Sequence, residues 1–138
     1  MKVFIDSDVL IDVFLQRVPF YEESAQLLSL ADSGKINGYT SALVLCNLYY
    51  ILRKDLGHKA SLSVLSEILD MLEILDLKKS NIETALAGSL ADFEDGVQNA
   101  IAETAKVDYL VTRNTSDFKK AKTKIVTPKQ FLSLGYGA

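Results

Sequence analysis

Acidic and amide side chains occur at three places where the chain leaves an apolar segment. They are Asp6, Asp92, Glu94, Asp95, Asn114 and Asp117. Carboxylates brought to one place repel each other and raise one another's pKa unless a cation lies among them. Mg²⁺ and Mn²⁺ prefer oxygen ligands, so an acid cluster without His or Cys suits them. Such an ion lowers the pKa of a bound water and stabilises charge on a phosphoryl group, so these residues predict phosphodiester hydrolysis.

Each of these residues also has an ordinary structural explanation. An Asp such as Asp6 or Asp92 caps helices, and acids in a first helical turn oppose the helix dipole. Asp117 can start a turn. Taken one at a time, the residues leave both explanations open, and it is their joint occurrence that favours a metal site.

The residues that other kinds of catalytic site require are missing from the sequence or poorly placed in it. The single histidine, His58, stands beside Gly57 at a predicted helix junction, which disfavours Ser-His-acid and Cys-His catalysis. The chain has no Gly-rich phosphate loop. Its one cysteine, Cys46, excludes an internal disulfide and a cysteine zinc site, and we expect its thiol to be buried because the segment around it is apolar.

The elements that must position the acids follow from the spacing of apolar residues and from turn and cap residues. Strands are predicted at 3–5, 36–39, 72–77, 109–111 and 125–126. Helices are predicted at 9–14, 21–33, 42–54, 59–71, 80–90, 92–106 and 128–132, with a capping box at Ser80 and Glu83. This alternation predicts an α/β fold, a three-layer α/β/α domain with a mainly parallel central sheet. Asp6 would then lie at the C-terminal end of a strand, where such sheets bind ligands.

Length and composition predict one domain, 1–138. The chain has 138 residues, of which 49% are hydrophobic and 24% charged, as in soluble globular proteins. No apolar run approaches the roughly 20 residues of a membrane span. The N-terminus has no signal-peptide pattern, so we expect a cytoplasmic protein with no membrane partner.

Charge is distributed unevenly along the chain. The net charge is −3, yet six basic residues and one acid lie between Arg113 and Lys129. A basic strip on an acidic protein can hold a phosphate backbone, and a solvated loop explains it equally well.

The predicted helix 42–54 is apolar from Ala42 to Leu52 except at Asn47. An unpaired buried amide costs roughly 1–3 kcal/mol. Asn47 must therefore be satisfied by neighbouring backbone or face a polar site, and the sequence leaves both open.

Four segments, in order, resemble the PIN-domain family over nearly the whole chain. They are Phe4-Ile5-Asp6-Ser7-Asp8-Val9-Leu10, Thr40-Ser41 before the apolar helix, Asp92-Phe93-Glu94-Asp95-Gly96-Val97-Gln98, and Leu110-Val111-Thr112-Arg113-Asn114-Thr115-Ser116-Asp117-Phe118-Lys119. The resemblance implies an α/β/α metal-dependent ribonuclease that uses Mg²⁺ or Mn²⁺. It also implies a toxin of a toxin–antitoxin pair, with RNA as substrate, an antitoxin protein as partner, and a homodimer.

The resemblance also assigns roles to residues. Asp6 matches the first family acid and Asp95 the third, with Glu94 as an auxiliary. The fourth acid falls near Asn114, which leaves Asp117 as the nearest carboxylate, and the second is usually a glutamate where this chain has Asn47.

From this match we expect Asp6, Asp95 and Asp117 to hold the metal. We expect the two amides, Asn47 and Asn114, to orient waters. The remaining expected roles are RNA backbone binding by Arg113, Lys119 and Lys120, and support of the ligands by Asp8 and Thr112.

Two other functions remain open at this point. Asp6-Ser7-Asp8 after an apolar strand also fits a haloacid-dehalogenase-like phosphatase, with Asp6 as nucleophile and Asp8 as general acid. Asn47 and Asn114 in place of acids also fit a catalytically weakened PIN-fold module that binds RNA or protein.

Overall fold

The computed structural model describes residues 1–135, so the last three residues of the predicted domain 1–138 lie outside the described residues. Within them, one five-stranded sheet has the order β3-β2-β1-β4-β5. Its strands are β1 (Lys2–Ile5), β2 (Asn37–Ser41), β3 (Glu73–Leu75), β4 (Tyr109–Val111) and β5 (Lys124–Val126). Every neighbouring pair is parallel, which confirms the predicted sheet.

Helices cover both faces of this sheet. They are α1 (Ser7–Phe14), α2 (Tyr21–Asp32), α3 (Ala42–Met71), α4 (Lys79–Ala87), α5 (Phe93–Thr104) and α6 (Pro128–Leu132), with a short 3₁₀ helix at Thr115–Phe118. Helices α1, α2, α3 and α6 pack among themselves, whereas α4 packs on α5. Right-handed crossovers explain the two groups, because the chain steps from β1 to β3 in one direction and returns from β3 to β4, through α4 and α5, in the other. The predicted three-layer fold is therefore confirmed.

The sheet order places a reversal beside β1. From β1 the chain moves outward through β2 and β3 and then returns to pair β4 on the other side of β1. Ligands bind at such a switch point, beyond the C-terminal ends of the strands. Asp6 follows β1 and Thr112 follows β4, so both lie at this point.

Helix α3 combines the two helices predicted at 42–54 and 59–71. Gly57, with φ 80° and ψ 175°, breaks its helical geometry, as predicted for the junction. The prediction of a buried Cys46 was wrong, because Cys46 is exposed and Tyr50 on the same helix is 64% exposed. Apolar residues occur on all sides of α3, but other elements pack against only one side. Cys46 and Tyr50 lie on the uncovered side.

Helix caps were predicted with mixed success. The Oγ of Ser41 accepts from the Val44 N–H (3.1 Å), and the Oδ1 of Asp92 accepts from the Asp95 N–H (2.9 Å). The capping box predicted at Ser80 was wrong, because α4 begins at Lys79 and the Oδ1 of Asn81 accepts from the Lys78 N–H (2.8 Å).

None of the helices within residues 1–135 is long and apolar enough to cross a membrane.

Candidate active site at the C-terminal edge of the sheet

Asp6 is held from three sides at the end of β1. Its backbone N–H donates to the Val111 carbonyl (3.0 Å), which extends the pairing of β1 with β4. Its Oδ1 accepts from the Ser7 N–H (2.7 Å), and its Oδ2 accepts from the Thr112 hydroxyl (2.9 Å). The residue is 5% exposed. The sequence places it there because the last three residues of the strand before it are buried and the helix after it needs a cap.

Asp8 and Thr112 support this arrangement. The Thr112 hydroxyl lies 3.2 Å from the Oδ2 of Asp8, which also accepts from the Arg113 N–H (2.9 Å). The Thr112 Oγ1 accepts in turn from the Asn114 N–H (3.1 Å). Asp8 therefore ties α1 to the loop after β4, the supporting position expected for it.

Asp95 comes to the same edge from the first turn of α5. Partial burial raises its pKa to about 7, and repulsion from Asp92, Asp6, Asp117 and Glu94 adds to this effect, in that order. The acids predicted at three separate places in the sequence therefore act on one another in the fold.

The pKa of Asp6 is raised to about 6. Burial is the main cause, and repulsion from Asp8 and, more weakly, from Glu94 adds to it. The hydrogen bonds from the Ser7 N–H and the Thr112 hydroxyl oppose the rise. Burial also raises the pKa of Asp8. Protons or a cation would relieve this accumulation of negative charge.

Asn47 faces the polar site. Its Nδ2 donates to the Oε1 of Glu94 at 2.8 Å, which joins α3 to the first turn of α5. Of the two alternatives that the sequence left open, the structure shows the second. An amide here binds Glu94, whereas a carboxylate would repel it.

The side chains gathered at this edge fit a divalent cation. The clustered side chains are carboxylates and amides, which are ligands of hard ions. Among residues 1–135, no three His, Cys, Asp or Glu side chains converge closely enough to hold a metal ion together. Asp6 and Asp95 repel each other, whereas Asp117 is exposed on the 3₁₀ helix. This set fits an ion such as Mg²⁺, which uses one or two carboxylates and keeps several waters.

Arg113 points toward the protein interior. Its Nε and Nη2 donate to the two carboxylate oxygens of Asp12 (2.5 and 3.0 Å), and its guanidinium lies 4.0 Å from the ring centre of Phe20. The side chain of Arg113 is 26% exposed, and that of Asp12 is fully buried. Contact of Arg113 with RNA stays a prediction, and this pairing leaves little of its charge for a phosphate.

Asp12 was missed in the sequence. A signal was present, since it is an acid inside the apolar segment Leu10–Phe14, and a buried charge requires a partner. The other predicted site residues lie on the surface: Asn114, Asp117, Lys119 and Lys120 are exposed along the segment after β4.

Known proteins are similar to this chain in sequence and in fold. Residues 2–116 match the family model described as PIN domain. Ribonuclease VapC1 of Aquifex aeolicus (strain VF5) is 27% identical in an alignment of 135 positions that covers 94% of this chain and 92% of that protein.

Solved structures are similar over most of the chain. A toxin–antitoxin complex from Klebsiella pneumoniae has a TM-score of 0.70 at 22% identity, covering 91% of this chain and 97% of that chain. VapBC2 from Rickettsia felis, bound to a DNA fragment from its promoter, has a TM-score of 0.69 at 19% identity, with the same coverage. At identities this low, the structures show a common fold.

Proposed function

The chain belongs to the PIN domain family, and we propose that it is a metal-dependent ribonuclease and the toxin of a toxin–antitoxin pair. The observation that carries the proposal is the pair Asp6 and Asp95, two carboxylates with raised pKa values at the switch point of the sheet, where the charge of Asp6 adds to the rise at Asp95. The similarity to a protein named as a ribonuclease supports RNA as the substrate.

Asp6 and Asp95 would hold Mg²⁺ or Mn²⁺, with Asp117 assisting through a water. When bound, the ion supplies a water of lowered pKa and neutralises charge on the phosphoryl oxygens. The Ser7 N–H and the Thr112 hydroxyl fix the carboxylate of Asp6, so this ligand needs no reorganisation.

Other residues would act on water and on the RNA strand. Asn47 fixes one carboxylate oxygen of Glu94, which leaves the second oxygen to orient a water near Asp95. Asn114 would orient a further water. Lys119 and Lys120 are exposed beside Asp117 and would bind the phosphates on either side of the cut.

An antitoxin protein is the proposed partner. Its support is the similarity to the Klebsiella pneumoniae toxin–antitoxin complex and to VapBC2 of Rickettsia felis. A homodimer and a cytoplasmic location belong to the same proposal.

A second candidate function is a catalytically weakened PIN-fold module that binds RNA or protein. Asn47 favours it, because this amide brings no negative charge to the metal, and so does the absence of three converging acids among residues 1–135. A phosphatase is not favoured, since its last acidic motif should follow a strand, whereas Asp92, Glu94 and Asp95 follow the loop after α4.

Cleavage of RNA by the purified protein tests the proposal. We expect fragments in Mn²⁺ or Mg²⁺, none in EDTA, and full recovery when the metal is restored. RNA binding without cleavage under every metal tested would favour the weakened module. A covalent phosphate trapped on Asp6 would instead identify a phosphatase.

A further inference from the structure

A cavity of about 180 Å³ lies beside the candidate active site. Its walls come from the end of α4, the following loop, one side of α5 and the segment after the 3₁₀ helix. Leu90, Gly96, Asn99, Ala100, Glu103 and Lys120 are among the residues that line it. Gly96 directly follows Asp95, so the cavity begins next to a proposed metal ligand.

Asn99 lines the cavity and lies on the face of α5 that carries Asp95. Residues four apart lie on the same face of a helix, about 5–6 Å apart at Cβ. Asp95 and Asn99 have this spacing, and Glu103 extends the row by one more turn. A ligand that reaches from Asp95 along α5 therefore meets Asn99 first.

The Asn99 side chain carries an unpaired acceptor. Its Nδ2 donates to the Oε1 of Glu103 (3.0 Å), which also accepts from the Lys122 N–H (3.3 Å). A carboxylate accepts hydrogen bonds, so the amide nitrogen must face Glu103 and the orientation of the amide is fixed. The Oδ1 is then buried with no hydrogen-bond partner, in a residue 8% exposed. Such an acceptor is rare in folded proteins and calls for a donor.

Lysines supply positive charge to the same cavity. Lys120 and Lys122 line it, are exposed, and take part in no ion pair within residues 1–135. Lys120 lines the cavity and is three residues beyond Asp117 in the chain. Lysines so placed suit phosphates on both sides of a bound nucleotide.

We propose that this cavity binds one nucleobase of the RNA strand, next to the phosphate that is cut. The inference rests on the proposed function. The base moves aside the side chains that cover the Oδ1 of Asn99 and donates an N–H to it. The apolar side chains of Leu90 and Ala100 contact the base faces, and Lys120 and Lys122 bind the flanking phosphates. The cavity is smaller than the roughly 300–1,000 Å³ of sites for drug-sized ligands, which suits a single base. Asn99 is then the residue that sets base preference.

The test is cleavage of single-stranded RNA with randomised positions, followed by sequencing of the products. We expect wild-type protein to prefer one base at one position beside the cut by about tenfold, the effect of one hydrogen bond to a buried acceptor. Asn99→Leu should reduce this preference to less than about twofold and leave other positions unchanged.

Lysine variants provide the matched comparison. Lys120→Ala should slow cleavage of all sequences and reduce the salt dependence, whereas Lys59→Ala, the same change at an exposed position of α3, should do neither. Wild-type preference retained by Asn99→Leu, or no preference in the wild type, would overturn the proposal.

Binding separates this inference from the proposed catalysis. The Asp6→Asn protein should enrich the same base from the library, and Asn99→Leu in that background should abolish the enrichment. If the wild type cleaves nothing but the enrichment appears and is lost in this way, the nuclease fails and the base site stands. Should Asn99→Leu not fold, photo-cross-linking of 4-thiouridine RNA to Asp6→Asn protein decides. Adducts within 84–90, 96–103 or 120–122 support the proposal, and adducts elsewhere overturn it.

Discussion

The amide of Asn47 donates to the carboxylate of Glu94 at 2.8 Å, so an uncharged side chain from α3 holds an acid in the first turn of α5. The resemblance to the PIN family leads us to expect a glutamate where this chain has Asn47. Relative to that expectation, Asn47 forms a hydrogen bond where two acids would repel each other, and the candidate metal site has one negative charge fewer.

Restoring that charge should strengthen metal binding. Asn47→Glu adds a carboxylate beside Glu94, and we expect Mn²⁺ to bind about tenfold more tightly, a difference of about 1.4 kcal/mol. Calorimetric titration measures the affinity, with the isosteric but uncharged Asn47→Gln as the control. Equal affinities for Asn47→Glu and wild type would show that residue 47 lies outside the reach of the ion.

The stability of the metal-free protein should fall as the pH rises. The pKa values of Asp6 and Asp95 are raised from 3.8 to about 6 and about 7, so the folded state binds their protons more tightly than the unfolded state. This contribution is complete below about pH 4 and is lost as the pH rises through 6 and 7.

Asp6→Asn isolates one part of this dependence. In EDTA, the variant should be less destabilised than the wild type between pH 4 and 8, by on the order of 2–3 kcal/mol in the free energy of unfolding. Urea unfolding at a series of pH values measures the difference. Parallel pH profiles for the two proteins would contradict the burial and repulsion described for Asp6.

The pair formed by Asp12 and Arg113 should stabilise the fold. Arg113→Met leaves the buried Asp12 without a partner, and we expect a loss of about 3 kcal/mol in the free energy of unfolding. The double variant Asp12→Leu/Arg113→Met should recover much of it, because no unpaired charge remains. Denaturant unfolding gives both values.

The same double variant tests whether Arg113 also contacts RNA. If it is stable and cleaves RNA with wild-type salt dependence, the role of Arg113 is to brace α1 against the loop after β4. If the variant is fully folded and its cleavage depends less on salt, the result would support the contact between Arg113 and RNA that the sequence predicts.

Production of the protein in a bacterial host should stop growth. The physical reason is RNA cleavage that requires Asp6, so Asp6→Asn should allow growth at an equal level of folded protein. Growth curves with quantified soluble protein measure this. If the wild type and Asp6→Asn stop growth equally, the toxicity does not depend on the proposed metal site.

Local sequence signals predicted the parts of the site that depend on the ends of strands and on helix caps. Asp6 was placed because a buried strand precedes it, and Asp92 because it caps α5. Asp6 and the segment after β4 meet because parallel strands end at one edge. Asp92 and Asp95 lie instead at the start of α5, which follows α4. The switch point between β1 and β4 needed the pairing order, which no single strand encodes.

Features that depend on packing between helices were not predictable in this way. The partner of Asn47 is set by how α3 lies against α5, and the exposure of Cys46 by which side of α3 stays uncovered. Asp12 and Arg113 are 101 residues apart, so their pairing arises only in the fold. The cavity at Asn99 likewise needs α4, α5 and the segment after the 3₁₀ helix together.

The most direct test of the account is the single-turnover rate of RNA cleavage in saturating Mn²⁺ by wild type, Asp6→Asn and Asp95→Asn. The matched control is Asp32→Asn, the same change at an exposed position at the end of α2. We predict that each site variant loses at least about 100-fold in rate, about 2.7 kcal/mol of transition-state stabilisation, and that the control keeps the wild-type rate. Asp95→Asn cleaving RNA as fast as the wild type would contradict the metal site proposed between Asp6 and Asp95.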